Sequence, residues 1–397
     1  MTAYNSIQIC RYDMEYKKIK EINEYKSESI NPMKTPDTMY ELYSVPFFTT
    51  GHPEYLHGSE IGSSKVIVQK NDILVCKINP RINRVWVVAD ESNCQSIASS
   101  EWIVVRNAQY NPYFLAWYFR TSMFQQLMTS EVTGIGGSLT RAQPKRVAEY
   151  PVPVLPRERQ DEIASILGHL QSIKYKRKNE LDLLDSLVKA RFVEMFGNPN
   201  EINKIANARI KDVASVKVGI VIKPTQFYSD DKTGKCAFRS LNIIPFGVKK
   251  NSEWVYFTDA AMSENKRTIV HEGDLLIVRS GNPGTCCVVP REYDGCNVID
   301  LIIAHPDNSK ILPEYLCAFT NMPHGMNQIN NQQHGVAQRH FNVSMYEKMK
   351  LYVPKLSMQH QFVDFMIRAD KSKVAIDHCV ILIRKALQSG YHHVWGD

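Results

Sequence analysis

One long stretch of helical pattern, from Arg157 to Phe196, most constrains how this chain can fold. Its apolar residues recur at steps of three and four, which places them on one face of a helix. At 1.5 Å per residue, about 40 residues form a rod of roughly 60 Å. Because a helix of that length rarely lies inside one globular core, we expect it to connect two domains. The apolar face is formed by Ile163, Leu167, Leu170, Leu181, Leu184 and Val188.

The same plan recurs in the second half of the chain. A proline-marked segment at residues 150–153 precedes the long stretch, and residues 351–354 match it, as Gln361 matches Gln160. After Gln361 the apolar face returns and ends before Gly390, so we expect the second helix to end near Gly390. We therefore interpret the chain as two copies of a globular part followed by a long amphipathic helix. The second apolar face is formed by Phe362, Phe365, Ile376, Val380, Ile383 and Leu387.

A turn before an apolar strand is also repeated. Asn71 and Asp72 precede the first such strand, and Gly273 and Asp274 precede the second. Asparagine and glycine both tolerate a positive φ, so the exchange between them is compatible with one shared turn. Since β-rich runs flank the first turn on both sides, the pattern predicts a hairpin in both copies.

These repeats predict an α+β fold. We expect two similar, mostly β globular domains separated by two long antiparallel helices, in a pseudo-two-fold internal repeat. The predicted boundaries are residues 1–155 for the first domain and 156–197 for the central helix. The second domain follows at residues 198–355, and the second helix with its tail at 356–397.

Composition and charge narrow the class of protein. With 22% charged and 44% apolar residues the chain is an ordinary globular sequence. It contains no apolar run long enough for a transmembrane helix, and its first residues lack a signal-peptide core. Nine cysteines without a CxxC pair indicate reduced thiols, so we expect a cytoplasmic protein. A formal net charge of +7 is compatible with nucleic-acid binding but does not require it.

Motifs for catalysis are missing from the sequence. Residues 111–114 (Asn-Pro-Tyr-Phe) lack the second proline of an amino-methyltransferase loop and begin a helical pattern. There is no phosphate-binding loop of the GxxxxGK[ST] type. His52 and His57 lack partners at metal-ligand spacing, so we expect no metal site. Asp72 and Asp274 are better explained as turn residues than as acid–base pairs. We therefore expect a non-catalytic protein.

The ordered motifs resemble those of one known family. Each half has the turn-Asp-Ile/Leu-Leu strand, a helix opened by Pro112 or Pro313, and a polar loop with Gly134 or Gly335. A proline-marked exit and a long helix follow in both halves. This set resembles the specificity subunits of type I restriction–modification enzymes, which serve in defence against phage, and the resemblance covers nearly the whole chain.

The resemblance implies a DNA-binding subunit with two target recognition domains held apart by a helical, coiled-coil spacer. Each domain would read half of a bipartite, non-palindromic DNA sequence. Two methyltransferase subunits and restriction/translocase subunits would be its partners, and S-adenosylmethionine, ATP and Mg²⁺ would belong to those partners. If about 30 residues of the helices overlap, the spacer is roughly 45 Å long. At about 3.4 Å per base pair this spans on the order of 13 base pairs.

Reading bases requires side chains with hydrogen-bond donors and acceptors, mainly Arg, Lys, Asn and Gln. Lys77 and Arg279 stand at equivalent places beyond the matched strands. The Lys174–Lys178 cluster is interpreted either as a contact to the DNA backbone or as a solvated helix face, and we favour the second slightly. The candidates for DNA contact are Lys77, Asn79, Arg81, Arg84, Ser138, Thr140, Arg141, Gln143, Arg279, Asn282, Gln338, Arg339 and His340.

Two other functions fit parts of the pattern. The chain resembles in plan a detached recognition subunit that serves a fused type II-like restriction/methyltransferase enzyme, which would co-purify with a single partner chain. A β-rich adaptor that binds only protein is the second alternative. The salt dependence of DNA affinity distinguishes the adaptor from the two DNA-binding functions, because phosphate contacts make affinity fall with salt.

Overall fold

The structure is a computed structural model that describes residues 15–89, 92–130, 132–133, 140–229, 234–333 and 341–395. The chain divides into two compact units. Unit 1 contains the residues up to Lys178 and those from His378 onward, and unit 2 contains Asn179–Asp377. Each long helix therefore contributes residues to both units. Among the described residues, no helix is long and apolar enough to cross a membrane.

Unit 1 is built mainly from short strands. A five-stranded sheet has the order β2-β5-β8-β3-β4, and a three-stranded sheet has the order β7-β6-β9. Two further sheets have two strands each: β1 with β12, and β10 with β11. The strands are β1 (Tyr16–Lys18), β2 (Ser29–Ile30), β3 (Met39–Tyr43), β4 (Glu54–His57), β5 (Lys65–Ile67), β6 (Ile73–Cys76), β7 (Val85–Val87), β8 (Gln95–Ala98), β9 (Trp102–Val105), β10 (Val132–Thr133), β11 (Arg141–Ala142) and β12 (Pro151–Pro153). The helices are α1 (Ile19–Ile22), α2 (Pro112–Phe119), α3 (Ser122–Ser130), α4 (Pro144–Val147) and the first part of α5 (Arg157–Phe196).

The core of unit 1 lies on both faces of the three-stranded sheet. On one face Ile73 and Val75 pack against α2 and against Ile163 and Leu167 of α5, and Leu387 from the end of the chain joins this cluster. On the other face a separate cluster contains Leu74 and Cys76 of β6 with Trp86, Trp102 and Tyr43. Central strand β6 is buried on both faces, as expected for a nearly continuous apolar run.

Unit 2 is also built mainly from short strands, and its two larger sheets have four and three strands. Its sheets have the orders β14-β22-β19-β20 and β18-β15-β21, and β13 pairs with β23 as β16 pairs with β17. The strands are β13 (Ala208–Arg209), β14 (Ala214–Val218), β15 (Lys235–Phe238), β16 (Ile243–Ile244), β17 (Gly247–Val248), β18 (Val255–Phe257), β19 (Leu275–Val278), β20 (Cys286–Val288), β21 (Asn297–Val298), β22 (Leu301–Pro306) and β23 (Lys350–Leu351). The helices are α6 (Ile202–Ile205), α7 (Ile210–Val213), α8 (Asp259–Glu264), α9 (Pro313–Asn321), α10 (Pro323–Gln333), α11 (Val343–Glu347) and the first part of α12 (Leu356–Trp395).

Within unit 2 the two long helices run antiparallel. The Phe192 ring of α5 lies 5.1 Å from the Phe362 ring of α12, and Lys373 Nζ lies 2.7 Å from a carboxylate oxygen of Asp185. Residue numbers rise on one helix while they fall on the other. Val188, Phe192 and Phe362 are buried in this core, whereas Leu181 and Leu184 are only half-buried.

The helix prediction for Arg157 to Phe196 is confirmed, since α5 has those bounds. Gly197, with φ of +88°, follows its last residue, in the left-handed conformation that glycine adopts readily. The expected end of the second helix near Gly390 is wrong, because α12 runs on to Trp395. A glycine inside a helix costs only about 1 kcal/mol relative to alanine, which good helix formers around it can offset.

The predicted hairpin at Asn71 is wrong, although the turn itself is present. Asn71 has φ of +71° and Gly273 has φ of +90°, so both take up the left-handed conformation expected of them. Strand β5 before the turn pairs with β2 and β8, whereas β6 after it pairs with β7 and β9. The turn therefore passes the chain from one sheet to another, which a local pattern of apolar residues does not distinguish from a hairpin.

The match of Gln361 to Gln160 is also wrong, by two positions. Gln160 is buried, accepts from the N–H of Asn111 and donates to Leu155 O. Gln359 is buried in the same way, accepting from Leu312 N and donating to Pro354 O. Gln361 is exposed. The first exit has prolines at residues 151, 153 and 156, so Pro354 of the second exit can be matched to a proline in the wrong register. A slip of two positions also preserves the alternation of a strand.

A buried aspartate fixes the turn before the central strand in each unit. The central strand is β6 in unit 1 and β19 in unit 2. Asp72 accepts the N–H of Gln69 and a bidentate pair of hydrogen bonds from Arg106, both 2.6 Å long. Asp274 accepts the N–H of His271, and its other oxygen lies 2.5 Å from His305 Nδ1. Ile73 pairs with Val105 and Leu275 with Ala304, so the arginine and histidine partners occupy equivalent places on the next strand.

We predict that Asp72→Ala destabilises unit 1. Removing one partner of a buried ion pair costs about 3 kcal/mol or more, because the remaining charge stays without its partner. A loss of that size raises the equilibrium constant for opening of the unit roughly hundredfold. The β6 amides, which exchange only when the unit opens, should therefore exchange roughly hundredfold faster. Hydrogen exchange followed by mass spectrometry would measure it, with Asp37→Ala, an exposed aspartate of the same unit, as the control. Unchanged protection of residues 73–76 would contradict the prediction.

We also predict a pH dependence that originates at His324. Its ring is buried beside Phe192, Nε2 lies 2.8 Å from Gly197 O, and among the described residues Nδ1 has no hydrogen-bond partner. Burial lowers the pKa of His324 from 6.5, and the hydrogen bond to Gly197 opposes this shift only in part. The unfolded state therefore binds the proton more readily, so stability falls as the pH drops below about 6.5.

The melting temperature should accordingly fall between pH 7.5 and pH 5.5, and His324→Gln should reduce that fall. Glutamine keeps an N–H group for Gly197 O but does not titrate. His360→Gln, at an exposed position of the same unit, is the matched control. The same pH dependence in wild type and His324→Gln would show that another group is responsible.

Candidate nucleic-acid interface

In unit 1 the structure brings two of the predicted contact segments together. The N–H of Asn79 donates to Thr140 O at 2.7 Å, and the N–H of Ala142 donates to Lys77 O at 2.9 Å. Ile78 and Arg141 form an isolated antiparallel bridge between these bonds. Residues that leave the central strand β6 are thus joined to residues far along the chain. The two segments form one continuous edge at the end of that strand.

This edge carries positive charge. Residues 77–84 include Lys77, Arg81 and Arg84 and no carboxylate, and Arg81 is exposed. Arg84 donates through Nη1 to Ile78 O at 3.4 Å, which directs its guanidinium back over the segment. Asn79 has φ of +45°, a left-handed conformation that asparagine tolerates better than most residues. Cations on an open segment of this kind attract phosphate groups.

Arg141 is partly neutralised. It forms two hydrogen bonds to Glu101, at 3.0 and 3.2 Å, and this partner raises the pKa of the guanidinium. Thr140 is buried, and Gln143 is half-buried just before α4. Glu101 was not among the sequence candidates. Its place directly before β9 gives no signal that it would meet a residue 40 positions later.

Unit 2 has the equivalent junction. The N–H of Phe341 donates to Arg279 O at 3.2 Å, and Arg279 Nε donates back to Phe341 O at 3.3 Å. Arg279 Nη1 lies 2.6 Å from Asp300 Oδ1, and the arginine side chain is only 15% exposed. Asp300 has φ of +50°. The guanidinium is thus held by the protein, and its carboxylate partner Asp300 was missed because a single acid beside an apolar run reads as a turn residue.

Beyond Arg279 the chain forms the tip of the β19–β20 hairpin. The N–H of Thr285 donates to Asn282 O, and the N–H of Gly284 donates to Val278 O. Gly281 and Gly284 have φ of +85° and +90°. A Cβ at Gly284 would lie 2.5 Å from Ile329 Cδ1, so this glycine also lets the tip pack against α10. Asn282 is exposed at the tip.

Four sequence candidates lie outside the described residues: Ser138, Gln338, Arg339 and His340. Ser138 comes two positions before Thr140, and His340 comes directly before Phe341. The contact roles of all the candidates remain predictions. Among the described residues, no group of three or more His, Cys, Asp or Glu side chains is placed to hold a metal ion.

Each unit therefore presents polar and cationic side chains where a central strand ends. Such groups suit contacts to phosphate and to base edges. The two edges differ in chemistry. The edge in unit 1 has several cations, whereas the described tip in unit 2 offers a neutral asparagine next to an arginine already paired with Asp300.

Comparison with known proteins places the chain in a family. A chain from a structure on complex assembly and conformational transition of the type I R-M system superposes with a TM-score of 0.61 at 15% identity, covering 95% of this chain and 96% of that one. The type I restriction–modification S subunit from M. genitalium superposes with a TM-score of 0.59 at 11% identity, covering 100% of both chains. No curated protein sequence matches.

These two likenesses show the fold, which is the α+β fold with two domains that the sequence repeat predicts. The family model described as "Type I restriction modification DNA specificity domain" matches the sequence twice, at residues 12–183 and 204–382. The two matches include most of the chain, which therefore belongs to the family of type I restriction–modification DNA specificity proteins.

Proposed function

We propose that this chain is the specificity subunit of a type I restriction–modification complex. It reads a bipartite, non-palindromic DNA site and directs adenine methylation and restriction by partner subunits. The observation that carries this proposal is the presence of two specificity domains whose equivalent edges bear different side chains. A repeated scaffold with unlike edges suits the reading of two unlike half-sites.

Unit 1 reads the first half-site through the edge formed by residues 77–84 and 140–143. Its cations bind phosphates and fix the register of the domain on the duplex. Asn79 and the arginines offer donors for base edges in the major groove. Unit 2 reads the second half-site through the hairpin tip, where Asn282 is exposed and Arg279 acts as a support.

The long helices hold the partner subunits in this proposal. Several of their large apolar side chains are exposed, including Leu183 at 67% and Val374 at 69%, both in unit 2. Exposed apolar groups along one element mark protein-binding surfaces. We assign these surfaces to two methyltransferase subunits, with restriction/translocase subunits joining the complex. S-adenosylmethionine, ATP and Mg²⁺ are assigned to those partners, and the chain itself is non-catalytic.

The helices also set the unread gap between the half-sites. Forty-residue helices such as α5 and α12 leave room for an overlap of about 30 residues, or roughly 45 Å. At about 3.4 Å per base pair, the gap is on the order of 13 base pairs.

Methylome sequencing tests the proposed function. Cells that carry this chain with its methyltransferase should contain a modified motif of two unlike short blocks around a fixed gap, and cells without the chain should lack it. Exchanging residues 1–150 for those of a homologue should change one block and leave the other. A complex that assembles but adds no motif would contradict the proposal.

Asn282→Ala should relax recognition at one base pair of the second block. Losing a bidentate base contact costs about 1–3 kcal/mol, or roughly 5- to 150-fold in discrimination. Fluorescence anisotropy on duplexes with each base pair changed in turn would measure the loss. Asn200→Ala, another exposed asparagine of unit 2, is the control. An equal loss on every duplex, with the salt slope reduced by about 1, would instead mark Asn282 as a phosphate contact.

A further inference from the structure

One connection between strands is equivalent in the two units. In unit 1, β3 pairs parallel with β8 and antiparallel with β4. In unit 2, β15 pairs parallel with β21 and antiparallel with β18. The segment from β3 to β4 therefore corresponds to the segment from β15 to β18. We call these segments the aromatic connections, after the residue that each of them exposes.

Each aromatic connection exposes one phenylalanine. Phe47 is 41% exposed and Phe246 is 40% exposed. The chain has 15 phenylalanines, all within the described residues, and the other 13 are buried or half-buried. In both segments the phenylalanine follows an aliphatic residue and a proline, so the two units share this feature at the same place in the fold. Core packing does not explain it, since a large part of each ring remains in contact with solvent.

The backbone of Phe246 is strained. Its φ of +64° lies in the left-handed region, where a bulky residue is a genuine outlier. The residue occupies the turn between β16 and β17, and its N–H donates to Cys286 O at 2.9 Å. Strained positions of this kind persist where the surroundings hold them, and they cluster at functional sites.

Both aromatic connections lie beside the proposed DNA-reading edges. Cys286, which holds Phe246, directly follows the hairpin tip that carries Asn282. In unit 1, Phe48 packs against Trp86 at 5.7 Å and Trp102 at 6.1 Å. Trp102 is paired with Cys76, the residue before Lys77. Each aromatic connection therefore contacts a strand that leads into a proposed DNA-reading edge, and in unit 1 that edge carries cations.

We propose that Phe47 and Phe246 each contact a thymine 5-methyl group in the major groove of their own half-site. The proposal rests on the proposed function above. Phenylalanine is one of the residues that reads thymine by apolar contact with this methyl group. Adenine methylation requires an A·T pair in each methylated half-site, so each such half-site contains a thymine.

The test uses the assembled complex with its methyltransferase and a duplex that carries the methylated motif. Each thymine of the motif is replaced in turn by deoxyuridine, which removes only the methyl group. In each half-site, one such replacement should weaken binding of the wild-type complex about fourfold relative to the natural duplex. This is the loss expected when one buried methyl group is removed. The complex with Phe246→Gly should bind the natural duplex more weakly than wild type. Its affinity should no longer change when deoxyuridine replaces thymine in the second half-site.

Each variant serves as the control for the other. Phe47→Ala should abolish the deoxyuridine effect in the first half-site and preserve it in the second, whereas Phe246→Gly should do the reverse. Glycine at residue 246 relieves the positive φ, so the variant should melt no lower than wild type while it loses affinity. A merely structural role for Phe246 would give lower stability together with an intact deoxyuridine effect.

The inference is overturned if both variants retain wild-type affinity, or if they lose affinity but keep the full deoxyuridine effect. It is equally overturned if no thymine in the wild-type site depends on its methyl group. Absence of any site-specific binding by the unaltered complex would instead contradict the proposed function itself. The two failures are therefore distinguishable in one set of titrations.

Discussion

A backbone hydrogen bond at the end of the central strand joins the two parts of each proposed reading edge. In unit 1 it runs from Ala142 to Lys77, and in unit 2 it runs from Phe341 to Arg279, residues 62 positions apart in the sequence. The bond links the residues that leave the central strand to a segment far along the chain. Once they are joined, the strand supports both. The rigidity of a central strand buried on both faces is thereby passed to side chains that remain accessible to a ligand.

The same principle explains the buried aspartates. Asp72 and Asp274 bind the turn that starts the central strand to the strand beside it. They are turn formers, as the sequence indicated, and their carboxylates also link neighbouring strands. One end of the strand is fixed by a carboxylate and the other by the backbone junction. The partner of the carboxylate is arginine in unit 1 and histidine in unit 2, so the link is kept while its chemistry differs.

Much of this fold could be predicted from the sequence, because long-range repetition and helical period are properties of the sequence alone. The long helix beginning at Arg157 and the helices opened by Pro112 and Pro313 were identified in this way. Strand pairing was not, since the turn at Asn71 looks the same whether its two strands share a sheet or not. The partners of Arg141 and Arg279 were equally out of reach. Each ion pair depends on a carboxylate brought close only by the tertiary fold, and it decides how much positive charge an edge presents.

The two-residue slip between the halves has an evolutionary consequence. The segment from Pro112 to Ala142 is two residues longer than the segment from Pro313 to Phe341, although the helices and junctions at their ends correspond. A change of two residues in a loop alters its closure entropy by only a few tenths of a kcal/mol. Insertions and deletions next to the proposed reading edge are thus nearly neutral for folding. Selection can therefore change the length of this segment at little cost to folding, and under the proposed function a new target sequence can arise without a new scaffold.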